Sequence, residues 1–138
     1  METYDYIVIG GGSGGIASAN RAGMHGAKVL LIEGNELGGT CVNVGCVPKK
    51  VMWQASEMLE MIKRDATSYG IYPHVDKFNF TELVDNREKY IDFLHTAYQK
   101  GLDSNNVEVI HGYAQFVDNH TVTVNGENYH AANILIAT

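Results

Sequence analysis

A run of six residues, Gly10-Gly11-Gly12-Ser13-Gly14-Gly15, separates an apolar stretch from an alanine-rich one. Residues 4–9 before it (Tyr-Asp-Tyr-Ile-Val-Ile) are β-rich and lack polar alternation, the pattern of a buried parallel strand. Residues 16–25 after it carry helix-forming alanines, Gly26 marks the helix end, and residues 28–33 read as a second strand. Strand, turn, helix and strand thus close in about thirty residues, the length of one βαβ unit.

Within that unit Gly10, Gly12 and Gly15 fit the spacing G-x-G-x-x-G, with Ser13 and Gly14 between the last two. The first glycine makes the tight turn, and the second lets a pyrophosphate approach the backbone. The third permits close helix–strand packing, and the phosphates rest on the helix N-terminus. Glu33 ends the second strand, 18 residues after Gly15, where an acid accepts hydrogen bonds from a ribose 2′-OH. That acid favours an unphosphorylated adenosine ribose, as in FAD or NAD, over NADP. A glycine fingerprint alone is often only a turn; the strand on each side and the terminal Glu33 give this one its meaning.

Both cysteines of the chain, Cys41 and Cys46, lie in the next segment, Gly38-Gly39-Thr40-Cys41-Val42-Asn43-Val44-Gly45-Cys46-Val47-Pro48-Lys49-Lys50. On one regular helix, positions five apart differ by about 500° and roughly 7.5 Å of rise. That exceeds the usual Cα separation of a disulfide, about 4.4–6.8 Å. A bond between them therefore needs a non-helical loop, which the three glycines can supply. Pro48 fits the first turn of a following helix. The positive potential at that helix start and the charge of Lys49 both favour thiolate. Two unrelated buried thiols are the plainer reading of any two cysteines; the glycines, Pro48 and Lys49 turn the reading toward a redox pair.

Downstream, residues 47–64 read as a helix with Val51, Met52, Ala55, Met58, Leu59 and Ile62 at core spacing, the methionines and Trp53 being taken as packing. Residues 69–73 are a turn-rich connection. A second helix is expected from Asn79 or Thr81 to Lys100, with Thr81 as a possible N-cap, Gly101 as its stop and Tyr90 and Tyr98 as core or half-buried residues. Strands follow at 107–110, 113–117, 121–124, 128–131 and 133–138, with Asn125-Gly126 as a hairpin turn.

The acidic balance, net charge −6, and the absence of a basic run argue against a nucleic-acid partner. No apolar stretch approaches the roughly 20 residues that span a bilayer. The acidic amino terminus is unlike a secretory signal, and two cysteines without such a signal suit a reducing, cytoplasmic setting.

The glycine fingerprint joined to Gly-Gly-Thr-Cys-x-Asn-x-Gly-Cys-x-Pro resembles the flavoprotein disulfide reductases, in order and over all 138 residues. Within that family, Val47-Pro48-Lys49-Lys50-Val51-Met52-Trp53 is similar to the glutathione-reducing branch, whereas the lipoamide and mercuric branches have Pro-Ser-Lys there. The trypanothione branch shares Pro-Lys-Lys and remains open as an alternative. The resemblance implies an α/β fold: a Rossmann-like FAD-binding domain with a parallel sheet plus a small antiparallel β-meander, truncated at the carboxyl end and filling residues 1–138. FAD would meet Gly10, Gly12, Ser13, Gly14, Gly15, Glu33, Gly39, Thr40, Cys41, Lys49 and Ala114. Cys46 would be the flavin-proximal thiol and Cys41 the outer thiol that attacks glutathione disulfide, with Lys49 beside the flavin. Ser13, Asn20 and Tyr98 match positions that border glutathione, and no metal is implied.

The family's NADPH-binding domain, its dimerisation domain and its His–Glu acid have no counterpart in these residues. The expectation is accordingly a piece of a homodimeric NADPH-dependent enzyme, without turnover alone. The six histidines (His25, His74, His95, His111, His120, His130) are expected on the surface or in loops. The rival reading is an FAD-binding, redox-sensing module with no catalytic cycle.

Overall fold

Strands without polar alternation must be covered on both faces, so residues 4–9 and 28–33 belong at the centre of a sheet. The computed structural model, which describes residues 2–138, places them there in one six-stranded mixed sheet. β1 (Glu2–Ile9), β2 (Val29–Glu33), β3 (Val107–His111), β4 (Gln115–Asp118), β5 (Thr121–Val124) and β6 (Glu127–Ile136) are ordered β3-β2-β1-β6-β5-β4. The first four in that order are parallel, and β6, β5 and β4 form the antiparallel meander. The expected parallel sheet and meander are therefore one continuous sheet.

Period-two alternation divides the core. Val8, Val29 and Leu31 face helices α1 (Ser13–Met24) and α4 (Phe80–Ser104), packing with Ile16, Ala19 and Leu102. Ile7, Leu30 and Ile32 point the other way and share a cluster with Val122, Val124 and Ala131. The registers Ile7↔Leu30 and Ile7↔Ile134 fix β1 between β2 and β6, and so fix where its C-terminal turn opens.

Several boundaries differ from expectation for identifiable reasons. β6 is a single strand where two were expected, at 128–131 and 133–138. His130 pairs with Thr121 on one side and Thr3 on the other, so backbone pairing carries the strand through the polar Asn133. α4 starts after Asn79, whose side chain accepts from the Glu82 amide, so Asn79 rather than Thr81 is the N-cap. The helix also passes Gly101 and ends at Ser104. Leu102 is fully buried, and that burial contributes about 2 kcal/mol against a glycine cost of about 1 kcal/mol.

Between β2 and α4 lie α2 (Gly39–Asn43) and α3 (Cys46–Glu60), then a π turn (Met61–Asp65) and a 3-10 turn (Ala66–Tyr69) that stops at Gly70, φ +73°. α3 leans on α2 and α4 instead of lying on the sheet. None of its residues is fully buried, Trp53 and Met58 are exposed, and the expectation of a core helix fails. Tyr90 is likewise exposed, whereas Tyr98 packs half-buried against the first cluster. Among the described residues no helix is long and apolar enough to cross a membrane.

Candidate functional site

The turn after β1 is built by contacts that exclude side chains. Gly10 has φ +110°, a conformation that favours glycine, and a Cβ there would meet the backbone of Ala137. A Cβ on Gly15 would overlap the carbonyl oxygen of Gly10. With Gly15 in its first turn, α1 starts at Ser13, three residues before the expected Ile16, and Gly12 is its extended N-cap. The first closed bond is Ile16 N–H to the Gly12 carbonyl, at 2.9 Å. No side chain caps this end, so the amides of the first turn and the helix dipole face the opening above β1.

Glu33, at the end of β2, folds back onto this loop. Its carboxylate accepts from the amide of Gly11 at 2.5 Å and from the amide of Asn35 at 2.7 Å. A carboxylate has about four acceptor positions, so two remain for a hydroxyl donor while the acid holds the glycine loop in place.

The cysteine segment is locked to the same loop. Gly38 N–H donates to the Gly11 carbonyl at 2.8 Å, and a Cβ on Gly39 would lie 2.9 Å from the Cα of Gly12. Gly38 and Gly39 both have positive φ, +101° and +63°, which lets α2 start against the glycine loop. The segment is not wholly irregular, as the cysteine spacing led one to expect. Cys41 sits inside α2, the chain breaks at Val44 and Gly45, and Cys46 is the first residue of α3 with Pro48 in its first turn. Two short-range helical pieces meeting at a glycine thus do what one helix cannot.

Both cysteines are free thiols, Cys41 half-buried and Cys46 exposed. The hydrogen bond between Cys41 and Cys46 pushes the Cys41 thiol above its ordinary range. At Cys41 this opposes the thiolate-favouring environment expected from the helix start and Lys49. A thiol that shares its proton with a neighbouring sulfur holds that proton until a base takes it.

A cleft of about 740 Å³ opens along these segments, within the usual size of ligand sites. Gly10, Gly12, Ser13, Gly14, Glu33, Gly39, Thr40, Cys41 and Ala114, all singled out in the sequence, line it. Gly15 lies beneath the loop as a packing glycine. Cys46 and Lys49 stay outside the lining, on the exposed start of α3. Ser13 is not joined there by Asn20 and Tyr98: Asn20 accepts from Asn105 at 2.8 Å, and Tyr98 packs on the core.

Two parts of the site escaped the sequence reading. Tyr113 is exposed, covers Gly34 and donates to Asn35 Oδ1 at 3.1 Å, walling the cleft beside Ala114. Asn43 ties the end of α2 to its beginning, and His95 of α4 meets it at 2.5 Å. His95 is thus half-buried between elements, and His130 lies half-buried in β6, so neither is the idle surface residue expected. The signal for Asn43 was present, since it lies between the two cysteines; nothing local marked His95, 52 residues away.

Over residues 4–138 the chain matches the family described as pyridine nucleotide-disulphide oxidoreductase. It is 47% identical over 137 residues to a glutathione reductase of Debaryomyces hansenii, covering 92% of this chain and 28% of that protein. It is also 47% identical over 150 residues to a glutathione reductase of Yarrowia lipolytica, covering 98% of this chain and 32% of that protein. The chain therefore spans about a third of the length of these curated relatives.

Proposed function

The chain belongs to the pyridine nucleotide-disulphide oxidoreductase family, and on that premise we propose that residues 1–138 are the FAD-binding part of an NADPH-dependent glutathione-disulfide reductase. In this reading the NADPH site and the homodimer contacts lie outside these residues, and the enzyme works in the cytoplasm on glutathione disulfide. The observation that carries the reading is the backbone bond from Gly38 to Gly11, which sets the segment that bears Cys41 and Cys46 against a dinucleotide-type cleft lined by Cys41.

The residues present fit FAD. The uncapped first turn of α1 offers amides to a pyrophosphate, and a Cβ at Gly14 would enter open space, so the approach is unobstructed. Glu33 keeps acceptor capacity for a ribose hydroxyl, and Thr40 and Cys41 line the same cleft. When bound, FAD in its reduced form would supply the two electrons that return the cysteine pair to its dithiol form.

The protein's own chemistry is thiol–disulfide exchange. A base removes the proton Cys41 shares with Cys46, and the Cys41 thiolate attacks one sulfur of glutathione disulfide. The glutathione S–S bond breaks, one glutathione leaves as thiolate and takes up a proton, and a mixed disulfide stands on Cys41. Cys46 gives up its own proton and attacks the Cys41 sulfur as thiolate. The mixed disulfide breaks, the second glutathione leaves as thiolate and takes up a proton, and the Cys41–Cys46 bond forms. Two electrons pass from the dithiol to the substrate.

Mass spectrometry of single-cysteine variants tests this. In the full-length protein, Cys46→Ser treated with glutathione disulfide should keep one glutathionyl group on Cys41, whereas Cys41→Ser should gain little. Preferential glutathionylation of Cys46 would reverse the roles, and no adduct on either would remove glutathione disulfide as substrate.

A further inference from the structure

The contact between Asn43 and His95 has a direction that can be read from its neighbours. Asn43 Nδ2 faces three carbonyls, those of Gly39 at 2.9 Å, Leu37 at 3.2 Å and Glu36 at 3.4 Å. That fixes the amide, because only its nitrogen donates. Asn43 Oδ1 must then be the acceptor toward His95 Nε2, 2.5 Å away, and Nε2 must carry a proton. The other ring nitrogen, Nδ1, looks toward Glu36 Oε2 at 3.8 Å and Asp92 Oδ1 at 4.0 Å.

An imidazolium has a proton for each side. A neutral imidazole has one, carried either on Nε2 toward Asn43 or on Nδ1, the side of the two carboxylates. If the proton moves to Nδ1, two lone pairs face each other across the Asn43 contact. We propose that His95 is a positioning residue for the cysteine turn, clamping α2 through Asn43 when protonated and loosening it when neutral. The charged and titratable groups that face the ring are Glu36 of the β2–α2 connection and Asp92 of α4 on its Nδ1 side, with Lys100 of α4 and His111 at the end of β3 lining the same shallow cleft. Cys41, two residues before Asn43 in the five-residue α2, is the group whose setting the clamp controls.

The inference rests on Cys41 belonging to the reacting pair, and its test reads the thiol without the reaction. Full-length protein, reduced, is labelled with iodoacetamide from pH 5 to 8.5, and Cys41 modification is followed by peptide mass spectrometry. His95→Gln retains a donor that does not titrate; His95→Ala has none. The ratio of wild-type to His95→Gln rates cancels thiol ionisation. It should be near one at the acid end and rise about threefold to tenfold through the imidazole range, the factor one hydrogen bond of ordinary net strength supplies. His95→Ala should be labelled faster than His95→Gln at every pH, with circular dichroism confirming that each variant is folded. A flat ratio, or equal rates for the two variants, overturns the clamp. Glutathionylation of the pair is scored separately, so loss of the exchange reading and loss of the clamp are distinguishable.

Discussion

Cys41 and Cys46 differ in what each does with a proton. The bond between them stabilises the protonated form of Cys41, which raises its pKa. Thiolate at Cys41 is therefore scarce at neutral pH and grows as pH rises beyond the ordinary thiol value of about 8.5. Replacing Cys46 by Ala removes the partner, so the midpoint of Cys41 alkylation should fall toward that ordinary value. An unchanged midpoint, read from the pH dependence of iodoacetamide labelling, would mean the two thiols do not share a proton in solution. The glycine fingerprint was fully legible at this scale because contacts impose it: a side chain at Gly15 would strike the Gly10 carbonyl, and one at Gly10 the backbone of Ala137. Asn20 and Tyr98 lie away from the cleft lining, Asn20 bonded to Asn105 and Tyr98 packed on the core, a placement that local sequence does not mark.

At the scale of elements, Gly101 shows what a local stop signal is worth. Nothing lies within 4 Å of a Cβ built there, its φ is not positive, and the helix continues around it to bury Leu102. Gly101→Ala should then stabilise the protein by about 0.5–1 kcal/mol, seen as a higher thermal midpoint; a fall would mean the helix needs the glycine. Sequence periodicity located α3 and α4 but misjudged their faces. The spacing of Val51, Ala55, Met58 and Ile62 states that one side is apolar, not what covers it, and α3 packs mainly on α2, α4 and the π turn that continues it. The cysteine segment was misread for the opposite reason. Geometry forbade one helix across both thiols, and a helix broken at Gly45 satisfies that restriction as well as an irregular loop does.

Across the whole molecule, stability is concentrated in β1 and β2, which have a paired strand on each edge; β6 is paired on both edges only at Tyr129 and His130. Amide exchange should be slowest at Ile7, Val8, Leu30 and Leu31, all fully buried, and fastest over residues 72–79, exposed throughout. Exchange at β1 as fast as at that connection would contradict the sheet order. The parallel half of the sheet and its meander were legible because apolar runs and Asn125-Gly126 mark them. Their union through β6 was not, because Ala132 and Asn133 interrupt the apolar run while the backbone pairing goes on. The Gly38–Gly11 bond carries a consequence at this scale. It makes the glycine loop and the cysteine turn one mechanical piece, and coupling through such a piece is reciprocal. Whatever factor a bound dinucleotide contributes to closing the cysteine pair, closure of the pair must return in its hold on the dinucleotide, so the oxidation state of two sulfurs and the residence of a cofactor become a single equilibrium.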